Sequence, residues 1–388
     1  MKRVLAITGI RSEYDILYPV LNELNKNRDI ELGLVVSNAH LSDQHGLTLK
    51  NIENDGFKIV DKIDCLFNTD RKTQRAKGVG MLIYGLSQTV DRFMPDLIMV
   101  IGDREESIAS AIVGNYMDVP VMHIGGGDPV YGNADDPIRM GVSKIAHIHI
   151  TTAQDYANNL INMGEEPFRV FNLGNPSLDN IRNTQKISIK KISDFLGLNI
   201  VKNKYFIFLK HPLSSELNET EHQMKIALDA ALSFCKKFNF KLIGIFPNTD
   251  PGSHKIINII ESFSTKNEIN FFKTLPRDIF INLLRNACFI AGNSSMGILE
   301  APFYKLPAVN IGSRQQGRLN AGNLEFVDHD KKKIITSMEK AAFNLEYRKK
   351  IKKLKNPYGD GFSSIKIANL INELDIDNPK WLVKEKLI

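Results

Sequence analysis

Short, almost unbroken apolar runs recur along the chain, each ending in Gly, Ser, Asn, Asp or Pro, with helical segments between them. In the first half they run from Val4 to Thr8, Leu32 to Val36, Leu97 to Ile101, Val119 to Ile124 and His147 to Thr151, with a weaker one from Arg169 to Leu173. A strand that is apolar at consecutive positions must be buried on both faces, which is the signature of a parallel sheet covered by helices. The segments Asp15 to Asn27 and Glu105 to Tyr116 supply such helices, with apolar residues at helical spacing.

The pattern stops between about Asn183 and Lys204, a stretch rich in Lys, Asn and Ser. It resumes with Tyr205 to Leu209, Phe240 to Phe246, Ile269 to Phe272, Ala287 to Ala291 and Ala308 to Ile311. At 388 residues the chain also exceeds what one hydrophobic core usually serves. The reading is therefore α/β, with two Rossmann-like domains at 1–182 and 205–362 and a connector at 183–204. A C-terminal segment, 363–388, is headed by an amphipathic helix from Ser363 to Leu374.

Open parallel sheets bind ligands beyond the carboxyl ends of their strands. The residues at those ends here carry chemistry in both halves. The first half offers Gly9-Ile10-Arg11-Ser12-Glu13, Ser37-Asn38-Ala39-His40, Gly102-Asp103-Arg104-Glu105 and Gly125-Gly126-Gly127-Asp128. The second offers Lys210-His211-Pro212, Pro247-Asn248-Thr249-Asp250, Gly292-Asn293-Ser294-Ser295 and Gly312-Ser313-Arg314. Two such rims point to a site in a cleft between the domains.

The strongest single segment runs from Gly292 to Pro302. It sets glycine, Ser294 and Ser295 between a buried strand and a helix, where amide N–H groups and hydroxyls suit phosphate oxygens. Glu300 could then reach ribose hydroxyls; the alternative is a serine N-cap with Glu300 on the surface. Arg11, Arg314 and Arg318 follow strand ends and suit a diphosphate, or form surface ion pairs. His211, before Pro212, is a candidate substrate contact. Asp103 is either a helix cap or a catalytic group. In Asp135-Asp136-Pro137, Pro137 reads as the first helical residue and Asp136 as its cap, which leaves Asp128 and Asp135 free for chemistry. His147 and His149 share a strand face, as a metal-ligating pair would, but no third ligand accompanies them, so their reading is structural.

Other classes are disfavoured. No phosphate-binding Gly-x-x-x-x-Gly-Lys-Ser/Thr loop is present, and Gly78-Val79-Gly80 lacks the third glycine and does not follow a strand. The net charge of +6, from 50 basic and 44 acidic residues, is too dispersed to argue for nucleic acid. No apolar run approaches the ~18 residues of a membrane span. No signal peptide is evident, and the scattered Cys65, Cys235 and Cys288 fit a reducing compartment, so a cytoplasmic protein is expected.

Taken together these segments resemble the UDP-N-acetylglucosamine 2-epimerase family, in its hydrolysing branch of sialic and legionaminic acid biosynthesis. The matching stretches are Thr8 to Tyr14, His40-Leu41-Ser42, Gly102-Asp103-Arg104, Asp135 to Arg139, Ser143 to His149 and Gly174 to Asp179. Pro247 to Asp250, Gly292 to Pro302 and Gly312 to Arg318 complete the set. The resemblance implies a glycosyltransferase-B-like architecture, with the site in the cleft and the C-terminal helix returning to the first domain. It implies a nucleotide pocket lined by His211, Asn248, Ser294, Ser295 and Glu300, with Arg11 on the diphosphate. His40, Arg314 and Arg318 join these binding residues, and Asp103 and Asp135 fall on catalytic positions.

The implied reaction removes the sugar C2 proton, expels the nucleoside diphosphate to leave a 2-acetamidoglucal, and adds water to release the free 2-epimeric sugar. No metal or redox cofactor is called for, and the expected assembly is a homodimer or homotetramer. One departure stands out: relatives often read His-Ile-His-Gly-Gly-Glu where this chain has His123-Ile124-Gly125-Gly126-Gly127-Asp128, and Met140 replaces a frequent histidine. Asp128 is therefore read as supplying part of the acid/base work. A non-hydrolysing epimerase, a glycosyltransferase of the same architecture and an inactive sugar-nucleotide binder are the competing readings.

Overall fold

The computed structural model describes residues 1–67, 73–129, 135–248, 250–264 and 269–384. It divides into two units, one formed by 1–129, 135–182 and 358–384, the other by 183–357.

The first unit contains a parallel sheet of seven strands: β1 (Lys2–Thr8), β2 (Ile30–Ser37), β3 (Ile59–Ile63), β4 (Leu97–Ile101), β5 (Val121–Ile124), β6 (Ile148–Thr151) and β7 (Val170–Asn172). Their order is β3-β2-β1-β4-β5-β6-β7. Side chains alternate across a strand, so neighbours in sequence serve opposite faces. Val4 and Ala6 join one cluster with Leu17, Leu21, Ile367 and Ile371, which brings the C-terminal helix Ser363–Glu373 onto the same face as the helix Arg11–Lys26. Leu5 and Ile7 join another with Leu82, Leu86, Ala109 and Val113 on the opposite face. Two buried faces explain the continuous apolar runs.

The C-terminal helix is fastened by buried polar contacts. The Asp179 carboxylate accepts from the amides of Ser363 and Ser364 at 3.1 and 2.8 Å, and from the Ser364 hydroxyl. The fully buried Arg169 donates to the carbonyls of Trp381, Lys380 and Val383. These bonds satisfy orphan amides at a helix start and carbonyls at the chain's end.

The second unit repeats the plan with six parallel strands: β8 (Tyr205–Leu209), β9 (Lys241–Ile245), β10 (Asn270–Phe272), β11 (Ile290–Gly292), β12 (Ala308–Ile311) and β13 (Leu324–Val327). The order is β10-β9-β8-β11-β12-β13. Each unit thus has the doubly wound order of a Rossmann sheet, with its reversal between β1 and β4 in one and between β8 and β11 in the other.

The polar stretch 183–204, expected as a connector, belongs to this unit. It carries the helix Ile189–Leu196, capped by Ser188 and ended by Gly197 in the left-handed region. Ile192, Leu196 and Ile200 enter the core beside Tyr205 and Ile207. The boundary with the C-terminal segment lies at 357/358 rather than 362/363.

Candidate active site

In the first unit the crossover between β1 and β4 gathers a cluster of carboxyl groups. Gly102 follows β4 and turns the chain so that Asp103 leaves the sheet edge. The helix Asp135–Ile145 presents Arg139 to it: Nη2 donates to Asp103 Oδ2, while Nη1 donates to Asp128 Oδ2 and to the Gly125 carbonyl, both at 3.2 Å. A planar guanidinium can hold two carboxylates at once in fixed geometry, which an ammonium cannot. Asp135 is fixed separately, its Oδ1 accepting from Arg75 Nη1 at 2.7 Å, and Arg75 Nε also bonds Glu105. Asp103, Asp128 and Asp135 are thus brought to one rim.

The helix starts at Asp135, two residues earlier than expected, so Asp136 lies within its first turn and is not its cap. Gly127 is required by the loop that carries Asp128: its φ is +75°, and a Cβ there would sit 2.3 Å from the Tyr156 carbonyl oxygen.

Charge at this rim is finely opposed. Burial works to raise the Asp103 pKa, but Arg139, with Arg104 and Arg75, outweighs it and holds the carboxyl below its ordinary value. His123 is buried, bonded to the Gly102 carbonyl at 2.7 Å and to Ser143 Oγ at 3.1 Å, and burial brings it down to about 3. It is a neutral brace for the β4 and β5 ends.

Two further acids were given no role from the sequence, although Glu13 closes the first strand-end segment. Glu106 Oε1 accepts from Ser37 Oγ at 3.1 Å and from Asn38, whereas its buried Oε2 has no hydrogen-bond partner among the described residues. Burial, then Glu105, pushes its pKa up. Burial, then Glu106, raises Glu13 well above its usual range. Their signal was available: each stands four residues beyond the glycine that follows its strand, Gly9 after β1 and Gly102 after β4.

Arg11 heads its helix beside this rim, with Nε 3.2 Å from Asp15. His40 differs from expectation. It is fully buried, and its ring nitrogens meet Thr8 Oγ1 at 3.0 Å and Thr48 Oγ1 at 2.7 Å. Burial, with the Arg11 charge, brings it down to about 3. Its polar atoms are engaged in holding the 38–48 loop to β1, so a direct substrate contact is not what the geometry offers.

In the second unit the corresponding reversal gathers the other expected residues. The hub is Asn293, singled out only as part of its segment: its side chain exchanges bonds with the His211 backbone at 2.7 and 2.9 Å. Its carbonyl accepts from Arg314 Nη1 at 3.2 Å and Gln315 Nε2 at 3.0 Å. His211 Nδ1 in turn accepts from the Asn248 amide at 3.3 Å, and Asn248 bonds Asp250 at 2.6 Å. Thr249 lies outside the described residues. Arg318 is buried and donates to Gln315 at 2.7 Å, which makes it a support of this loop.

Ser294 and Ser295 stand at the β11 end, but the helix that follows, Met296–Leu299, is a single turn. A single turn adds little of the dipole by which a longer helix attracts phosphate; the hydroxyls and Arg314 remain. Glu300 closes that turn, half-buried, next to Tyr304. Among the described residues no cluster of three metal-ligating side chains is found.

Comparison with known proteins gives the family of the chain. A profile described as UDP-N-acetylglucosamine 2-epimerase matches residues 22–372. The UDP-N,N'-diacetylbacillosamine 2-epimerase (hydrolyzing) of Legionella pneumophila is 30% identical over 376 residues, covering 97% of each chain. The GDP/UDP-N,N'-diacetylbacillosamine 2-epimerase (hydrolyzing) of Campylobacter jejuni is 33% identical over 325 residues, 83% of each. Among solved structures, the UDP-GlcNAc 2-epimerase of Neisseria meningitidis bound to UDP-GlcNAc shares the fold with a TM-score of 0.81 at 20% identity, over 96% of this chain and 100% of that one. The chain belongs to the UDP-N-acetylglucosamine 2-epimerase family.

Proposed function

We propose that this protein is a hydrolysing 2-epimerase that converts a nucleotide-linked 2-acetamido sugar into the free manno-configured sugar and a nucleoside diphosphate. The observation that carries the reading is the Arg139 clamp, which holds Asp103 and Asp128 at one strand rim, with Asp135 on Arg75 beside them. Epimerisation at C2 needs a carboxylate to accept the C2 proton and an acid to return one on the other face. Loss of the C1–O bond sends its electron pair to the diphosphate, and the C1–C2 double bond of the 2-acetamidoglucal forms. Water then adds across that bond, its hydroxyl at C1 and a proton at C2.

Asp103, kept ionised by Arg139, suits electrostatic support of the developing charge, and Asp128 and Asp135 suit proton transfer. In the second unit His211, Asn248, Ser294, Ser295, Glu300 and Arg314 are the proposed nucleotide contacts, with Arg11 in the first unit serving the diphosphate. A UDP-linked 2,4-diacetamido-2,4,6-trideoxy sugar is the first substrate to test, because two relatives at 30–33% identity carry that specificity in their names; UDP-N-acetylglucosamine is the second. The product would feed sialic- or legionaminic-type acid synthesis. We place the work in the cytoplasm, in a homodimer or homotetramer, which light scattering would check. No helix among the described residues is long and apolar enough to cross a membrane.

The test is nucleoside diphosphate release from each candidate without any acceptor. Release by the wild type and its loss in Asp128→Asn supports the reading. Release that requires an added acceptor means a glycosyltransferase, and full turnover in Asp128→Asn removes that residue from the mechanism.

A further inference from the structure

Lys210 follows β8 directly and precedes His211. It is a buried lysine, 3% exposed, and its Nζ donates to His329 Nε2 at 2.9 Å. It forms no ion pair with a carboxylate among the described residues. His329 lies beyond β13, and its ring fills the space that a Cβ on Gly312 would need, with Cε1 2.7 Å from that position. Strands β11 and β12 lie between β8 and β13. The Lys210–His329 bond therefore runs along the carboxyl rim, past the strands that carry Asn293–Ser295 and Ser313–Arg314.

The charges facing this pair come from four directions. Glu216, on the turn Ser214–Glu216, attracts the ammonium and accepts from Ser313 Oγ at 3.1 Å, whereas Arg314 repels it. Asp328 and His222 act on His329. Burial outweighs the pull of Glu216 and brings Lys210 down to about 7, and burial with the Lys210 charge brings His329 to about 4, leaving its Nε2 an acceptor.

We propose that Lys210, buried at this rim and bonded to a histidine nitrogen in place of a carboxylate, takes up a proton when a nucleoside diphosphate arrives there. The proposal rests on reading this unit as the nucleotide-binding one. The proton comes from water or buffer and forms the third N–H bond of the ammonium, no other bond changes, and release of the diphosphate returns it. An opposite charge brought within about 4–6 Å favours the charged form of an amine, and a lysine serves phosphate as a point charge. The enzyme would hold its diphosphate more tightly in mild acid and release it more readily in mild alkali.

Calorimetry of UDP binding to the full-length protein at pH 8, in buffers of different ionisation enthalpy, tests this directly. At that pH the UDP phosphates are already ionised, so any proton taken up belongs to the protein. The wild type is expected to take up protons on binding, at most one per UDP. Lys210→Met is expected to bind UDP more weakly with no uptake. Lys210→Arg, charged at every pH, is expected to bind UDP with no uptake, an outcome that a merely structural lysine would not produce. Binding without buffer dependence in the wild type, or undiminished uptake in both variants, overturns the proposal and leaves the nucleotide reading standing. No binding of UDP or GDP overturns the nucleotide reading and the proposal with it.

Discussion

At Arg139 one guanidinium spans two carboxylates, so a change there reaches both acids at once. Arg139→Lys keeps a charge but cannot keep both bonds, and kcat is expected to fall at least ~100-fold through misplacement of the reacting groups. The same change weakens the hold that keeps Asp103 below its ordinary pKa, so the acid limb of the pH–rate profile should move to higher pH. Steady-state kinetics across pH 4–8 checks both effects.

Glu13 gives a prediction of opposite kind. Its folded pKa is raised, so the folded state binds more protons than the unfolded chain above pH 4.5, and this group costs stability as pH rises. Glu13→Gln should therefore be more stable than the wild type at pH 8, with the difference shrinking as pH falls toward 4.5. Chemical denaturation at both pH values measures it, and an equal difference at both would contradict the assignment.

The C-terminal helix hangs on one side chain, Asp179, which takes both of its first free amides. Asp179→Ala leaves those buried donors unpaired and is expected to cost about 2–3 kcal/mol. Hydrogen exchange should show lost protection centred on 358–384, because Ile367 and Ile371 are that segment's anchors in the first core. Uniform loss across the molecule would mean that the helix is not a separate element of stability.

What could be read from sequence follows the same physics of burial. Central strands such as β4, β8 and β12 lie with both faces covered, and their apolar runs mark their ends to the residue. The edge strands β3 and β13 are half-exposed, carry Asp61, Lys62 and Glu325, and gave no signal. The helix Ile189–Leu196 was hidden because only one of its faces is apolar, inside a stretch of lysine and serine. At the candidate sites, Asp103, Asp128 and His211 could be singled out from their places after strands, and Asp135 from the Asp-Asp-Pro segment that opens its helix. Arg139, Asn293 and Glu106 were not singled out, because their importance lies in what they bond across the fold. His40 misled for the converse reason, since a histidine at a strand end looks the same whether its ring faces a ligand or two threonines.

Across the molecule, two units of the same strand order present chemically different rims: acids under arginine control in the first, amides, hydroxyls and basic groups in the second. If the second unit takes the nucleotide, UDP should protect the amides of 209–216, 292–301 and 311–318 from exchange more than any comparable loops of the first unit. Protection confined to the first unit would reverse the assignment of roles.

The central claim, hydrolysing epimerisation at C2, is tested most directly by proton NMR of the enzyme with each candidate sugar nucleotide in deuterated water. The account predicts a free manno-configured sugar with deuterium at C2, together with released nucleoside diphosphate. A product that stays nucleotide-linked, or a free sugar that keeps its C2 proton and configuration, would contradict it.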